Sequence, residues 1–325
     1  MSRLTSEQWS SFWTRSTVTT ISSMFEQNYD GAVAEFWHSV LAGEPRTVLD
    51  LACGNGALAW LANEYLNTEA QNCSVLGVDA ASINPFEVLG RDPAQYPGVS
   101  FFGDTPIESL PFDSASIDVA MSQYGLEYSD MDRSVPEIAR VLKPGGVMAF
   151  IVHGEESSIA RGSTRYLPEH KKILEEIAVH RLFSEVDIMI GKRRDLAKIA
   201  VKSKVRKKLA AIDEAGAVLQ KMAEYVDPPY EIERYYLPML GAFTQEAVRK
   251  GVNRKAVIAK SLSGLRAFIE RIEDLQSATL SLSEQAELVA LIEAQGFEIR
   301  THAALAYGAS PNIGTAIIAR KRSGT

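Results

Sequence analysis

Two patterns of apolar residues divide this chain. In one, short aliphatic runs end at an acid, a glycine or a polar residue. They are Val48-Leu49-Asp50-Leu51, Ser74-Val75-Leu76-Gly77-Val78-Asp79, Val99-Ser100-Phe101-Phe102, Ser116-Ile117-Asp118-Val119-Ala120-Met121-Ser122 and Val147-Met148-Ala149-Phe150-Ile151-Val152. Runs of this length, rich in β-branched residues and bounded by polar ones, predict buried strands. In the other pattern apolar positions return every three or four residues, which predicts helices. Ala57-Leu58-Ala59-Trp60-Leu61-Ala62 continues the first run in helix-favouring residues, and Ser283 to Ala294 reads as a helix stopped by Gly296. Phe297-Glu298-Ile299-Arg300-Thr301 and Gly314 to Arg320 then read as two strands close enough to pair antiparallel. Ahead of the first strand, Trp9, Phe12, Trp13, Met24, Phe25, Tyr29, Phe36 and Trp37 concentrate aromatic and apolar residues in short helical stretches. Core packing is the principal reading for most of them.

From about residue 157 to 281 only the helical pattern is present. Leu196, Ile199, Val205, Leu209, Ile212, Leu219, Met222 and Val226 fall near one face, and Val248, Val252, Val257, Leu262, Leu265, Phe268, Ile269 and Ile272 repeat the arrangement. Asp227-Pro228-Pro229 separates the two series, because proline cannot continue a helix and its predecessor avoids the helical region. These helices bury one another, cover a site or build a dimer contact, and the pattern does not choose among the three.

Chemistry concentrates where the first strand ends. Asp50 is followed by Leu51-Ala52-Cys53-Gly54-Asn55-Gly56 and then by the helix. Glycines at 54 and 56 allow a tight turn and let a ligand approach the main chain without a Cβ in the way. The free N–H groups of the helix start point at such a ligand. The spacing is Asp-x-x-x-Gly-x-Gly, not the Gly-x-Gly-x-x-Gly of dinucleotide enzymes. It resembles the first motif of the class I S-adenosylmethionine-dependent methyltransferases, and four further elements of that family follow in order. They are the strand ending at Asp79, Gly103-Asp104-Thr105 with Leu110-Pro111-Phe112, the strand reaching Ser122-Gln123-Tyr124, and Leu142-Lys143-Pro144-Gly145-Gly146. Pro144 and Gly145 suit the two central places of a type II turn. The terminal helix and strand pair match the end of the same family.

The resemblance covers about residues 45–155 and 282–325. It implies a doubly wound, Rossmann-like sheet of seven strands with an antiparallel last strand, formed by residues 45–156 and 282–325. It also implies an N-terminal helical cap over 1–44 that closes on the cofactor. A helical insertion over 157–281 would then serve as a lid, a substrate arm or a dimerisation arm. The cofactor would be S-adenosylmethionine. Asp50, Ala52, Gly54 and Gly56 would line its methionine end, Asp79 its ribose, Asp104 and Thr105 its adenine, and Gln123 the cleft beneath. Tyr29 would meet the cofactor carboxylate or the substrate. A carboxylate in Asp79's place accepts two hydrogen bonds from a ribose diol. Two departures matter. Ala52 stands where many members carry a first glycine, and its methyl narrows the approach. Ser122-Gln123-Tyr124-Gly125 replaces the Asn/Asp-Pro-Pro-Tyr of enzymes that methylate adenine or glutamine amines, which argues against that chemistry.

Composition narrows the class. The chain has 325 residues, more than one minimal domain of ~100–150 residues, and its net charge of −7 argues against general affinity for nucleic acid. Cys53 and Cys73 are its two cysteines, which excludes a disulfide framework and a four-cysteine metal site. The start, Met1 to Glu7, carries no apolar targeting core, and no stretch reaches the ~20 apolar residues of a membrane span. A cytoplasmic location is the expectation. Charge is uneven within the insertion, where Lys192, Arg193, Arg194, Lys198, Lys202, Lys204, Arg206, Lys207 and Lys208 face only Asp195. Such a run is a solvated helix face or a site for an acidic partner: a phosphorylated substrate, an acyl carrier protein or RNA. It has no interleaved aromatic residues for stacking bases. A homodimer is compatible with everything above.

Methyl transfer needs a nucleophile held close to the methyl, aligned and dry, and positioning supplies ~7–11 kcal/mol of a barrier. A base matters when the nucleophile arrives protonated. His153, just after the fifth strand, is the base candidate, with Glu127 and Tyr124 as candidates for orienting substrate. Three readings follow: a methyltransferase of small molecules, one of RNA or protein docking through the basic run, and a cofactor-binding protein without turnover.

Overall fold

The computed structural model of the chain describes residues 3–21, 24–25, 27–66, 73–226 and 229–323. In chain order the elements are α1 Ser6–Trp13, α2 Gly31–Leu41, β1 Thr47–Leu51, α3 Ala57–Leu66, β2 Ser74–Val78, α4 Pro85–Leu89, β3 Val99–Phe102, β4 Ile117–Gln123, α5 Met131–Val141 and β5 Leu142–Val152. The helices α6 Ser158–Lys172, α7 Val179–Ile190, α8 Leu196–Ala200, α9 Ser203–Met222, α10 Pro229–Ala242, α11 Gln245–Lys250 and α12 Arg254–Ala278 follow. Helix α13 Leu282–Ala294 and strands β6 Phe297–Tyr307 and β7 Ser310–Lys321 complete the described chain.

Among the described residues seven strands form one sheet in the order β3-β2-β1-β4-β5-β7-β6. The first five run parallel, β7 is antiparallel to β5, and β6 pairs with β7 alone. Strand order reverses between β1 and β4, the switch point where open α/β sheets collect ligands at the strands' C-terminal ends. The alternation within each strand explains the two covered faces. Leu49, Leu51, Ala120, Met148 and Phe150 point to one face and pack with α5 and α13. Val48, Val119, Met121, Ala149 and Ile151 point to the other and pack with α2 and α3. Trp37 and Trp60, both fully buried, anchor that second layer, each contributing roughly 1.5–3 kcal/mol or more of apolar burial.

The elements match the pattern-based expectation with four differences. Met24, Phe25 and Tyr29, read as part of short helical stretches, lie between α1 and α2 outside any helix. Strand β5 begins at Leu142 rather than at Val147, and its register on β4 slips across residues 143–146. Gly145, at φ +78, takes the turn's left-handed position there, so the turn is a kink within one long strand. The terminal hairpin is longer than Phe297–Thr301 and Gly314–Arg320, since pairing continues to Tyr307 and Ser310 around Gly308. Its outer half, His302-Ala303-Ala304-Leu305-Ala306-Tyr307, is largely exposed and lacks the apolar-polar alternation that marked the inner half. Val252 leaves the helical face assigned to it because Gly251, at φ +78, ends α11 and breaks the period. The Asp227-Pro228 break lies outside the described residues.

The described chain forms two compact units: up to residue 161 together with 277–325, and residues 162–276. The second unit has its own core, in which Ile173, Phe183, Ile212, Leu219, Tyr235 and Met239 are buried together. Arg254 closes it, donating to Asp187 Oδ1 at 2.6 Å and to the Gly191 carbonyl.

Candidate functional site

The loop after β1 turns through three left-handed positions, Ala52 at φ +52, Gly54 at +52 and Gly56 at +83. A Cβ at Gly54 would lie 2.3 Å from the Trp13 ring, and one at Gly56 would lie 2.6 Å from Phe101. Both positions therefore need glycine for space as well as for φ. Asp50 braces the turn from below, its Oδ2 accepting from Ala59 N at 3.0 Å at the start of α3. Asp79 braces it from the side: Oδ2 accepts from Gly54 N and Oδ1 from Ala81 N, each at 2.8 Å. Burial raises the Asp79 carboxyl to about 6 against the opposing pull of those two N–H groups. Burial likewise raises Asp50 well above the usual carboxylate range.

Beside this loop lies a cavity of about 370 Å³, counted to its open mouth. Of the residues expected at a site, Tyr29, Asp50, Ala52, Gln123 and Tyr124 line it. Gln123 is held by Trp37, whose Nε1 donates to its Oε1 at 2.7 Å, and its Nε2 has no partner. Tyr124 sits at φ +56, and its hydroxyl donates to the Ile313 carbonyl at 3.0 Å. Non-glycine residues in this region cost on the order of 1–3 kcal/mol, and such strain gathers at functional sites.

The remaining expected residues, Gly54, Gly56, Asp79, Asp104, Thr105, Glu127 and His153, do not line it. Asp104 is exposed, at φ +52, its N–H donating to the Ala81 carbonyl. Thr105 N donates to Asp79 O and its hydroxyl to Gly103 O, so both residues tie the loop after β3 to the end of β2. His153 is buried and stacks on Tyr124 with ring centres 4.2 Å apart. Its backbone N–H donates to Glu127 Oε1 at 2.7 Å, while His153 Nδ1 and Glu127 Oε2 have no partner. Burial lowers His153 to about 3 and raises Glu127 to about 7.

Trp13, at the end of α1 and named from sequence only as one of the N-terminal aromatics, lines the other wall. Val18, Thr19 and Thr20, which sequence reasoning did not name, line it from the segment after α1. That segment is locked to the glycine loop by Asn55, whose Nδ2 donates to the carbonyls of Arg15 at 3.0 Å and Thr17 at 2.8 Å. The aromatic content of residues 9–13 was its one visible signal.

These features fit S-adenosylmethionine. The loop admits no side chain at two positions, and two buried polar atoms, Gln123 Nε2 and Thr19 Oγ1, stand unpaired beside the same cavity. An unpaired buried group costs ~1–3 kcal/mol, which a polar ligand recovers. Among the described residues no cluster of His, Cys, Asp and Glu suits a metal ion, and no helix is long and apolar enough to cross a membrane.

A family of methyltransferase domains matches residues 49–150. A 2-phytyl-1,4-naphtoquinone methyltransferase of Nostoc punctiforme is 36% identical over 118 residues, covering 35% of this chain and 49% of that protein. A phthiotriol/phenolphthiotriol dimycocerosates methyltransferase of Mycobacterium leprae is 34% identical, covering 32% of this chain and 37% of its own length. A malonyl-[acyl-carrier protein] O-methyltransferase of Methylococcus capsulatus is 33% identical, covering 39% of this chain and 48% of that protein. This chain thus spans half or less of the length of each of these relatives.

Proposed function

We propose that this chain, whose residues 49–150 match a family of methyltransferase domains, is a class I S-adenosylmethionine-dependent methyltransferase that transfers a methyl group from that cofactor to a small-molecule acceptor. The observation that carries the proposal is the cavity at the C-terminal ends of β1 and β4, beside a loop that needs glycine at positions 54 and 56. The relatives' names, a 2-phytyl-1,4-naphtoquinone methyltransferase and a malonyl-[acyl-carrier protein] O-methyltransferase, support a small or carrier-borne acceptor.

When bound, the cofactor supplies a sulfonium-activated methyl that an oxygen, nitrogen, carbon or sulfur nucleophile displaces in line. The protein's part is positioning, worth ~7–11 kcal/mol of a barrier. In this reading Asp50 and Gln123 hold the methionine end, while Trp13, Val18 and Leu58 exclude water along the cavity wall. Asp79, outside the lining and already accepting from Gly54 N and Ala81 N, serves the ribose end chiefly by holding the glycine loop in place. Tyr124 is fixed by Ile313 on one side and by the His153 ring on the other. His153 is neutral at physiological pH, yet it and Glu127 do not line the cavity. We therefore assign both to orienting Tyr124 rather than to accepting a proton from substrate.

Calorimetric titration with S-adenosylmethionine should show binding to the wild-type protein and at least tenfold weaker binding to Asp79→Ala. Methyl-labelled cofactor incubated with the protein and a cell extract should deliver its label to small molecules. Label in RNA or protein would replace the acceptor class, binding without transfer would leave a non-catalytic binder, and no binding would sink the reading.

A further inference from the structure

Thr19 sits in no motif, lies outside the matched residues 49–150, and belongs to no helix or strand. Even so, it is 3% exposed, lines the cavity, and its Oγ1 has no hydrogen-bond partner. Its position is fixed on both sides. Asn55, fully buried between Gly54 and Gly56, grips the carbonyls of Arg15 and Thr17, and the Thr17 hydroxyl donates to the Thr19 carbonyl at 2.8 Å. The glycine loop and the Thr19 hydroxyl are therefore held as one piece.

Two more polar groups face the same cavity. Trp37 occupies the Gln123 oxygen, which leaves the Nε2 donor unpaired. Burial keeps the Tyr29 phenol protonated, so it too is available as a donor. Among the described residues the cavity lining contains no lysine or arginine, and its one acid is Asp50. Neutral donors and a single described acid on one cavity suit an α-amino acid: the donors bind its carboxylate, and Asp50 binds its ammonium. The nucleoside alone has neither group.

We propose that Thr19 is a cofactor-binding residue, donating its hydroxyl to the carboxylate at the amino-acid end of S-adenosylmethionine together with Gln123. This rests on the cofactor reading above and assigns a role to the segment between α1 and α2. It makes recognition of the amino-acid end depend on residues far in sequence from the glycine loop.

The test compares two ligands that share a thioether nucleoside, S-adenosylhomocysteine with the amino-acid end and 5′-methylthioadenosine without it. Calorimetry is run on wild type, Thr19→Val, which keeps the shape, and Thr19→Ser, which keeps the hydroxyl. The expected result is a loss of about tenfold for S-adenosylhomocysteine in Thr19→Val, affinity for 5′-methylthioadenosine within twofold of wild type, and recovery in Thr19→Ser. Equal losses for both ligands would mark a structural role, and unchanged S-adenosylhomocysteine affinity would remove Thr19 from the site; either overturns the proposal. Wild-type protein that binds neither ligand would instead overturn the cofactor reading on which the proposal stands. Should Thr19→Val fail to fold, Thr19→Ser with reduced affinity for both ligands, in equal measure, overturns it as well.

Discussion

At the scale of single residues, the site stores its cost in buried acids. Asp79 and Glu127 both sit where burial disfavours their charged forms, and backbone N–H groups offset only part of that penalty. Glu127 rises from 4.5 to about 7. The folded protein therefore keeps a proton that the unfolded chain has already released. The stability this provides is complete below about pH 4.5 and is lost as pH climbs through 7. Replacing Glu127 by Gln removes the titration. Denaturant melts should show the variant gaining on wild type by about 2–3 kcal/mol between pH 5 and pH 8. A wild-type advantage that grows with pH would contradict the assignment. His153 runs the opposite way, because its lowered value of about 3 costs stability as pH falls below 6.5; comparing the two proteins at each pH cancels it. Of the residues named from sequence, Asp50 and Asp79 were legible because an acid ending an apolar strand is conspicuous. Thr19 was not, since a threonine in an irregular segment carries no local mark of burial.

At the scale of elements, legibility followed regularity. Helix α13 was predicted from its period and its Gly296 stop, and the structure adds its start. Ser281 Oγ accepts from Glu284 N at 3.3 Å, while Ser281 N donates to Glu284 Oε2 at 2.8 Å, a reciprocal cap. The cap is exposed, so Ser281→Ala should cost about 1 kcal/mol in chemical melts without changing the fold. Cofactor affinity should be unchanged, and a loss in affinity would mean that α13 communicates with the cavity. The left-handed Gly145 was also read correctly, whereas the strand continuing through it and the length of the final hairpin were not. The hairpin's inner strands show apolar alternation; its outer ends are held by main-chain pairing and by distant partners, Tyr307 meeting Phe25 and Asp30, which local pattern does not reveal.

At the scale of the whole molecule, charge and topology answer different questions. The basic run Lys192–Lys208 is mostly exposed, with Lys208 paired to Glu185 at 2.6 Å and Lys198 to Asp195 at 3.7 Å. We expect it to be a solvated face. Gel-shift titration with total RNA at about 0.15 M salt should then show no complex, whereas a complex that weakens steeply with salt would revive the docking alternative. What the sequence determined alone was the parallel sheet, the glycine loop and its acids, and the antiparallel finish, because each is written in neighbouring residues as a period or a turn. What only the tertiary structure decided was which groups share the cavity. Thr19, Tyr29, Asp50 and Gln123 meet there through the sheet's switch point and through Asn55 holding the segment after α1. Contacts across so many intervening residues leave no periodic trace in the chain, since they depend on where separate elements are packed and not on the residues beside them.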